Sequence, residues 1–151
     1  MLVSDLLSPE RVLADVRATS KKKLLETISK ALVSHDTALD AREVFESLCA
    51  RERLGSTGLG HGVAIPHGRV SSSLEPQAVF VRLAKPLAFD AMDGVPVDLL
   101  FALAVPENCT SDHLNLLAQI AERFSDEELL RNLRQADGAT ELVKLLSDTK
   151  H

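Results

Sequence analysis

The spacing of apolar residues changes twice along this chain. Behind Ser20, the residues Leu24, Leu25, Ile28 and Leu32 recur at helical spacing and predict an amphipathic helix capped by that serine. Behind Asp40, the residues Val44, Phe45, Leu48 and Cys49 repeat the pattern and predict a second helix ending in Arg51-Glu52-Arg53. In the middle of the chain the pattern becomes strand-like. Gln77–Leu83 and Val97–Val105 read as strands, the second so apolar that it must be covered on both faces. A shorter strand is expected at Val12–Val16, after a turn or first helical turn at Ser8-Pro9-Glu10, and Pro106 is expected to end the long one. Phe89–Gly94 offers a turn at Asp93-Gly94 and a short strand edge. Helical spacing then returns: Leu116, Leu117, Ile120, Ala121 and Phe124 mark one helix, and Leu142, Val143, Leu145 and Leu146 mark the last. Between them Ser125-Asp126-Glu127-Glu128 reads as a capping box opening a helix through Leu129, Leu130 and Leu133. Helices, then strands, then helices predict an α/β sandwich around one central sheet, a single domain over residues 1–151.

Composition narrows the class. With 45% hydrophobic and 26% charged residues the chain is globular, and its 151 residues suffice for a real core. A net charge of −5 argues against nucleic acid, whose backbone calls for a clustered basic face. The one basic run, Lys21-Lys22-Lys23, reads as a solvated helix face; it sits at the positive end of the helix dipole, a mismatch that exposure would make tolerable. Met1–Leu7 carries no basic leader, and the longest apolar run, Leu99–Val105, is too short to span a bilayer, so a cytoplasmic protein without membrane insertion is expected. Cys49 and Cys109 form no CxxC and read as plain thiols.

The unusual chemistry lies in Gly55–Arg69, GSTGLGHGVAIPHGR, where five of the chain's seven glycines fall. A P-loop would need a lysine and a hydroxyl after its last glycine, and a dinucleotide fingerprint would follow a strand and open a helix; this stretch does neither. His61, His67 and His113 match no compact metal spacing, and no GxSxG elbow is present, so neither cofactor nor metal is expected. What remains is a histidine that accepts a phosphoryl group, since a neutral imidazole carries a lone pair near physiological pH. Phosphoryl transfer asks the protein mainly for positioning and charge neutralisation. Pro66 fixes the backbone before His67 and Gly68 clears it afterwards, leaving His67 on a bare rim that a partner protein could approach. A surface histidine of no function remains an alternative on these residues alone. Arg51 and Arg53 likewise suit either the helix C-terminal dipole or the site that follows.

Gly55–Gly60 together with Ile65-Pro66-His67-Gly68 closely resembles the active-site segment of enzyme IIA proteins of the fructose/mannitol class of the bacterial phosphoenolpyruvate-dependent phosphotransferase system. Phe89–Leu103, Arg51-Glu52-Arg53-Leu54 and Asp112-His113-Leu114 resemble its nitrogen-regulatory branch in particular. The resemblance implies a mixed sheet flanked by helices on both faces. It implies a phosphotransferase that uses no cofactor and carries phosphate on His67 Nε2, taken from a histidine-containing phosphocarrier protein and used to regulate target proteins. By the same resemblance His113 orients the phosphoryl group, Arg51 is the active-site arginine, and Thr57 and Gly68 contact phosphate more weakly. Arg53, His61, His35 and His151 receive no role. The alternative within the family is a sugar-uptake enzyme IIA that passes phosphate to an enzyme IIB of a permease. Outside it, the alternative is a pure binding module that no longer accepts phosphate.

Overall fold

The computed structural model describes residues 6–34, 39–71, 75–108 and 110–147, with side chains left aside at 110–113. His35, Cys109 and His151 therefore lie outside the described residues, as does the side chain of His113. In chain order the elements are a 3-10 turn at Pro9–Arg11, β1 (Val12–Val16), α1 (Lys21–Val33), α2 (Ala41–Leu54), β2 (Gly58–Gly60), β3 (Val63–Ala64), β4 (His67–Val70), β5 (Gln77–Leu87), β6 (Val97–Pro106), α3 (Thr110–Arg123), α4 (Glu127–Gln135) and α5 (Ala139–Ser147).

The six described strands form one mixed sheet in the order β1-β5-β6-β3-β2, with β4 also paired to β6. β5 and β6 are antiparallel, whereas β1 runs parallel to β5, and β3 and β4 run parallel to β6. β6 is the central strand, and its side chains alternate between two cores. Leu99, Phe101, Leu103 and Val105 pack with Leu116, Ile120, Phe124, Leu130, Leu133 and Leu142 of α3–α5. Leu100, Ala102 and Ala104 pack with Leu24, Ile28, Leu32, Val44 and Leu48 of α1 and α2. The expected sandwich is therefore present, with helices on both faces, and the unbroken apolar run of β6 is explained by burial on both sides.

Ser20 and Asp40 cap α1 and α2 as expected, accepting from the backbone N–H of Lys23 and Arg42. The third cap differs from its expectation. Asp126, not Ser125, caps α4 by accepting from the N–H groups of Glu128 and Leu129, while the Ser125 hydroxyl donates back to the Glu122 carbonyl. A carboxylate one residue nearer the helix accepts two of the orphan donors, and because the third helical position is then Leu129 the expected capping box gives way to a simple aspartate cap. Phe89–Gly94 makes the turn, with the Gly94 N–H donating to the Ala91 carbonyl, but no strand edge. β5 runs on to Leu87 past Pro86, which is tolerated because the ladder with β6 is already irregular between Arg82 and Leu87.

The glycine-rich segment is where the structure departs most from a loop. It folds as a β2–β3 hairpin followed by β4, and β3 and β4 lie end to end along the same edge of β6 in one continuous register. They count as two strands because Pro66 has no N–H to offer the ladder, although its carbonyl still accepts from Leu103 N at 2.9 Å. The two-residue turn His61-Gly62 has φ of 57° and 81°, the double left-handed geometry of a type I′ hairpin, which a glycine makes cheap. That turn is pinned from α4: Arg134 donates to the His61 carbonyl at 2.6 Å and pairs with Asp98 at 2.9 Å.

Candidate functional site

His67 opens β4, paired with Leu103, and alternation puts it on the sheet face that carries α3. The bare rim expected for it is not what forms: the residue is half-buried between buried Pro66 and buried Gly68. Its Nδ1 lies 2.7 Å from the Ile65 carbonyl oxygen. A carbonyl can only accept, so Nδ1 carries the proton and the lone pair of the neutral ring sits on Nε2. Burial pushes the imidazole below the ordinary histidine value of 6.5; the Ile65 carbonyl opposes that shift, the Arg51 guanidinium adds to it, and Glu52 opposes it again. The outcome is a neutral ring in one tautomer, which is the reactive form of a histidine nucleophile.

The His67 ring followed by NMR is expected to titrate with a midpoint below 6.5, and a midpoint at or above that value would refute the buried neutral ring. Between the two values the unfolded chain binds a proton that the folded protein resists, so this residue's contribution to stability falls as pH drops through 6.5 toward the folded value.

Arg51, in the last turn of α2, is half-buried, and its Nη1 donates to the Gly55 carbonyl at 2.8 Å. It is close enough to act on the His67 charge, whereas Arg53 is exposed. The backbone of His113 lies in the opening of α3, the helix that follows β6. Thr57 is buried, and both its N–H and its hydroxyl donate to the Glu52 carboxylate, so its O–H is engaged within the protein. Gly68 is also buried. A Cβ there would come within 3.0 Å of Ser47 Cβ and 3.1 Å of the Ser47 carbonyl carbon. Its missing side chain makes room for α2 against β4, and the expected clearance for a docking partner is corrected accordingly.

Sequence reasoning missed Glu52 and Lys21. The Glu52 side chain is 6% exposed and pairs with Lys21 Nζ at 2.8 Å. Lys21 also lies 4.2 Å over the Phe89 ring, so one of the three lysines expected on a solvated face is engaged, and its mismatch with the helix dipole is offset by a carboxylate. No periodicity could have signalled this pair, because its members come from different helices. Cys49 is half-buried, and burial pushes its thiol upward, consistent with an unreactive cysteine. Among the described residues no three His, Cys, Asp or Glu side chains gather as a metal ion would require. No described helix is long and apolar enough to cross a membrane.

The family described as "Phosphoenolpyruvate-dependent sugar phosphotransferase system, EIIA 2" matches residues 5–149. A nitrogen regulatory protein of Escherichia coli K12 is 44% identical over 149 residues, covering 98% of this chain and 91% of that protein. The crystal structure of nitrogen regulatory protein IIA-Ntr from Neisseria meningitidis superposes with a TM-score of 0.90 at 40% identity, over 95% of this chain and 98% of that one. IIA mannitol from Escherichia coli shares the fold, with a TM-score of 0.78 at 22% identity over 93% of this chain and 98% of that one.

Proposed function

The chain belongs to the EIIA 2 family of the phosphoenolpyruvate-dependent sugar phosphotransferase system, and from that premise we propose that it is a phosphohistidine carrier of a nitrogen-type relay. His67 Nε2 takes a phosphoryl group from the phosphohistidine of a small phosphocarrier protein. The new Nε2–P bond forms as the donor's N–P bond breaks, and the bonding pair returns to the donor imidazole. The His67 ring gains positive charge in that step, which the Ile65 carbonyl meets at Nδ1–H. Arg51 neutralises the incoming phosphoryl oxygens, and His113, by family resemblance, orients them. Phosphorylation adds about −2 charge to this surface and so changes which regulatory proteins can dock against it. The reaction passes from protein to protein, needs no cofactor, and belongs in the cytoplasm with its donor.

The observation that carries this reading is the 2.7 Å Nδ1 to Ile65 contact on a half-buried ring, which fixes the tautomer a phosphoryl acceptor needs. The regulatory role rests on likeness, 44% identity to a nitrogen regulatory protein against 22% to a mannitol IIA. The test is incubation with phosphoenolpyruvate, enzyme I and the phosphocarrier, followed by intact-mass spectrometry. One acid-labile, alkali-stable phosphate is expected, and an unshifted mass would count against the carrier. Onward transfer to a sugar-specific enzyme IIB, with no effect on regulatory partners, would favour the sugar-uptake alternative.

A further inference from the structure

Glu52 stands at the head of a chain of hydrogen bonds that ends on His67. Its carboxylate accepts the N–H of Thr57, at 3.2 Å, and the Thr57 hydroxyl. The Thr57 carbonyl accepts from Ile65 N at 3.1 Å. The Ile65 carbonyl in turn accepts from His67 Nδ1–H at 2.7 Å. The other end of the chain is held as firmly. Lys21 Nζ pairs with Glu52 Oε1 at 2.8 Å and reaches the Phe89 carbonyl at 3.4 Å, while the Ser56 hydroxyl donates to that same carbonyl at 2.6 Å. One carboxylate thus ties the start of α1, the end of α2, the β2–β3 hairpin and the Phe89 turn together, immediately behind the histidine. Burying a carboxylate is unfavourable unless it is paired and hydrogen-bonded. Here the pairing is complete, with Lys21 from one helix and both donors of Thr57.

We infer that Glu52 is a positioning residue for phosphoryl acceptance, holding His67 in its Nδ1–H tautomer through Thr57 and Ile65. This deepens the carrier reading and rests on it for the rate effect alone. The carbonyl of Ile65 can orient the imidazole only if residue 65 is held on both sides: its N–H, in the Ala64–Ile65 peptide, donates to Thr57, and its carbonyl lies in the next peptide, whose nitrogen is that of buried Pro66. Removing the Glu52 anchor frees Thr57, lets the Ile65 carbonyl tilt, and spreads the ring between tautomers and rotations. Neutral rings in the other tautomer would then present N–H, not a lone pair, to the incoming phosphorus. Arg51 is coupled to the same anchor, because its guanidinium is held by the Gly55 carbonyl in the segment that leads to Thr57. The order of the residues makes one turn of α2 serve two purposes: Arg51 faces the phosphoryl group, and Glu52 fixes the nucleophile.

The experiment measures two quantities in wild type, Glu52→Gln and Thr57→Val. The first is the ¹⁵N spectrum of the His67 ring in the unphosphorylated protein. The second is the rate of phosphoryl uptake as a function of phosphocarrier concentration. Wild type is expected to show the Nδ1–H tautomer alone. Both variants are expected to show mixed tautomers and uptake at saturating donor slower by roughly tenfold, with the donor concentration for half-maximal rate unchanged, because misplacement of the nucleophile lowers reactivity and not docking. Thr57→Val leaves the Lys21–Glu52 pair in place, so it carries the test if Glu52→Gln fails to fold. An unchanged His67 spectrum in the folded variants overturns the inference, even if uptake slows, since a direct phosphate contact by Thr57 would affect only the rate. A loss confined to the half-maximal concentration overturns it as well. If wild type takes up no phosphate while the variants alter the tautomer, the carrier reading fails and the positioning role stands.

Discussion

His67→Ala is expected to abolish phosphoryl uptake completely while leaving the fold intact. The reason is chemical before it is structural: alanine supplies no lone pair, and phosphoryl transfer has no step the protein can perform without an acceptor atom. The structural penalty is small. The variant loses one hydrogen bond to the Ile65 carbonyl, a net of about 1 kcal/mol, and the imidazole it removes is only half-buried at the start of a strand. β4 keeps its pairing with β6, because the ladder is made by the backbone. The measurement is intact mass after incubation with the upstream relay, beside a thermal melt of the same sample. A phosphate that persists on the folded variant identifies a different acceptor. His61 is the first candidate among the described residues, since its ring is exposed on the hairpin turn. A missing phosphate on an unfolded variant would say nothing of chemistry, so the melt is part of the result.

Gly68→Ala should have the second largest effect, and it acts through packing. The added methyl must enter space that α2 occupies, 3.0 Å from Ser47 Cβ and 3.1 Å from the Ser47 carbonyl carbon. Ser47 cannot swing clear without giving up its hydroxyl bond to the Arg69 carbonyl at 2.8 Å, and a helix backbone atom cannot swing at all. Either α2 lifts from β4 or β4 leaves the β6 ladder. Overpacking of this kind costs about 2 kcal/mol, a lowering of the melting temperature by roughly 4–8 °C for a chain of this size. Phosphoryl uptake should also slow, because the displaced strand begins with His67 and the displaced helix ends near Arg51. An unchanged melting temperature would show that the close approach of α2 is not what requires glycine here. Full uptake with a lowered melting temperature would separate the packing from the site.

The two expectations have different origins, and the difference describes how this molecule is encoded. The proposed acceptor was legible in the chain: a histidine between proline and glycine, in a family-specific segment, with a helix ending in arginine before it. The long elements were legible too, because helices α1–α5 repeat their apolar residues at helical spacing and strands β5 and β6 are dense apolar runs. β2, β3 and β4 were not legible as strands. They are short, interrupted by Pro66 and full of glycine, and they are strands because β6 offers them an edge. Asp126 displaced Ser125 as a helix cap for a similar reason: both residue types suit the position, and one turn of local geometry chose between them.

The sequence by itself singled out the proposed reactive group, and it set the Ile65 carbonyl that meets its Nδ1 only two residues away. It determined which faces of the strands are apolar, and hence that the sheet must be covered on both sides. Tertiary structure alone decided that Gly68 makes room for a helix, that Thr57 turns its hydroxyl inward, and that Lys21 leaves its solvated run to meet Glu52. It also decided that the imidazole resists protonation, because desolvation arises only when the fold packs around it. The reason is one of range. Hydrogen bonds between near neighbours and apolar periods are properties of a short segment. Burial and a buried ion pair are properties of segments far apart in the chain, which acquire meaning only when the sheet brings them together.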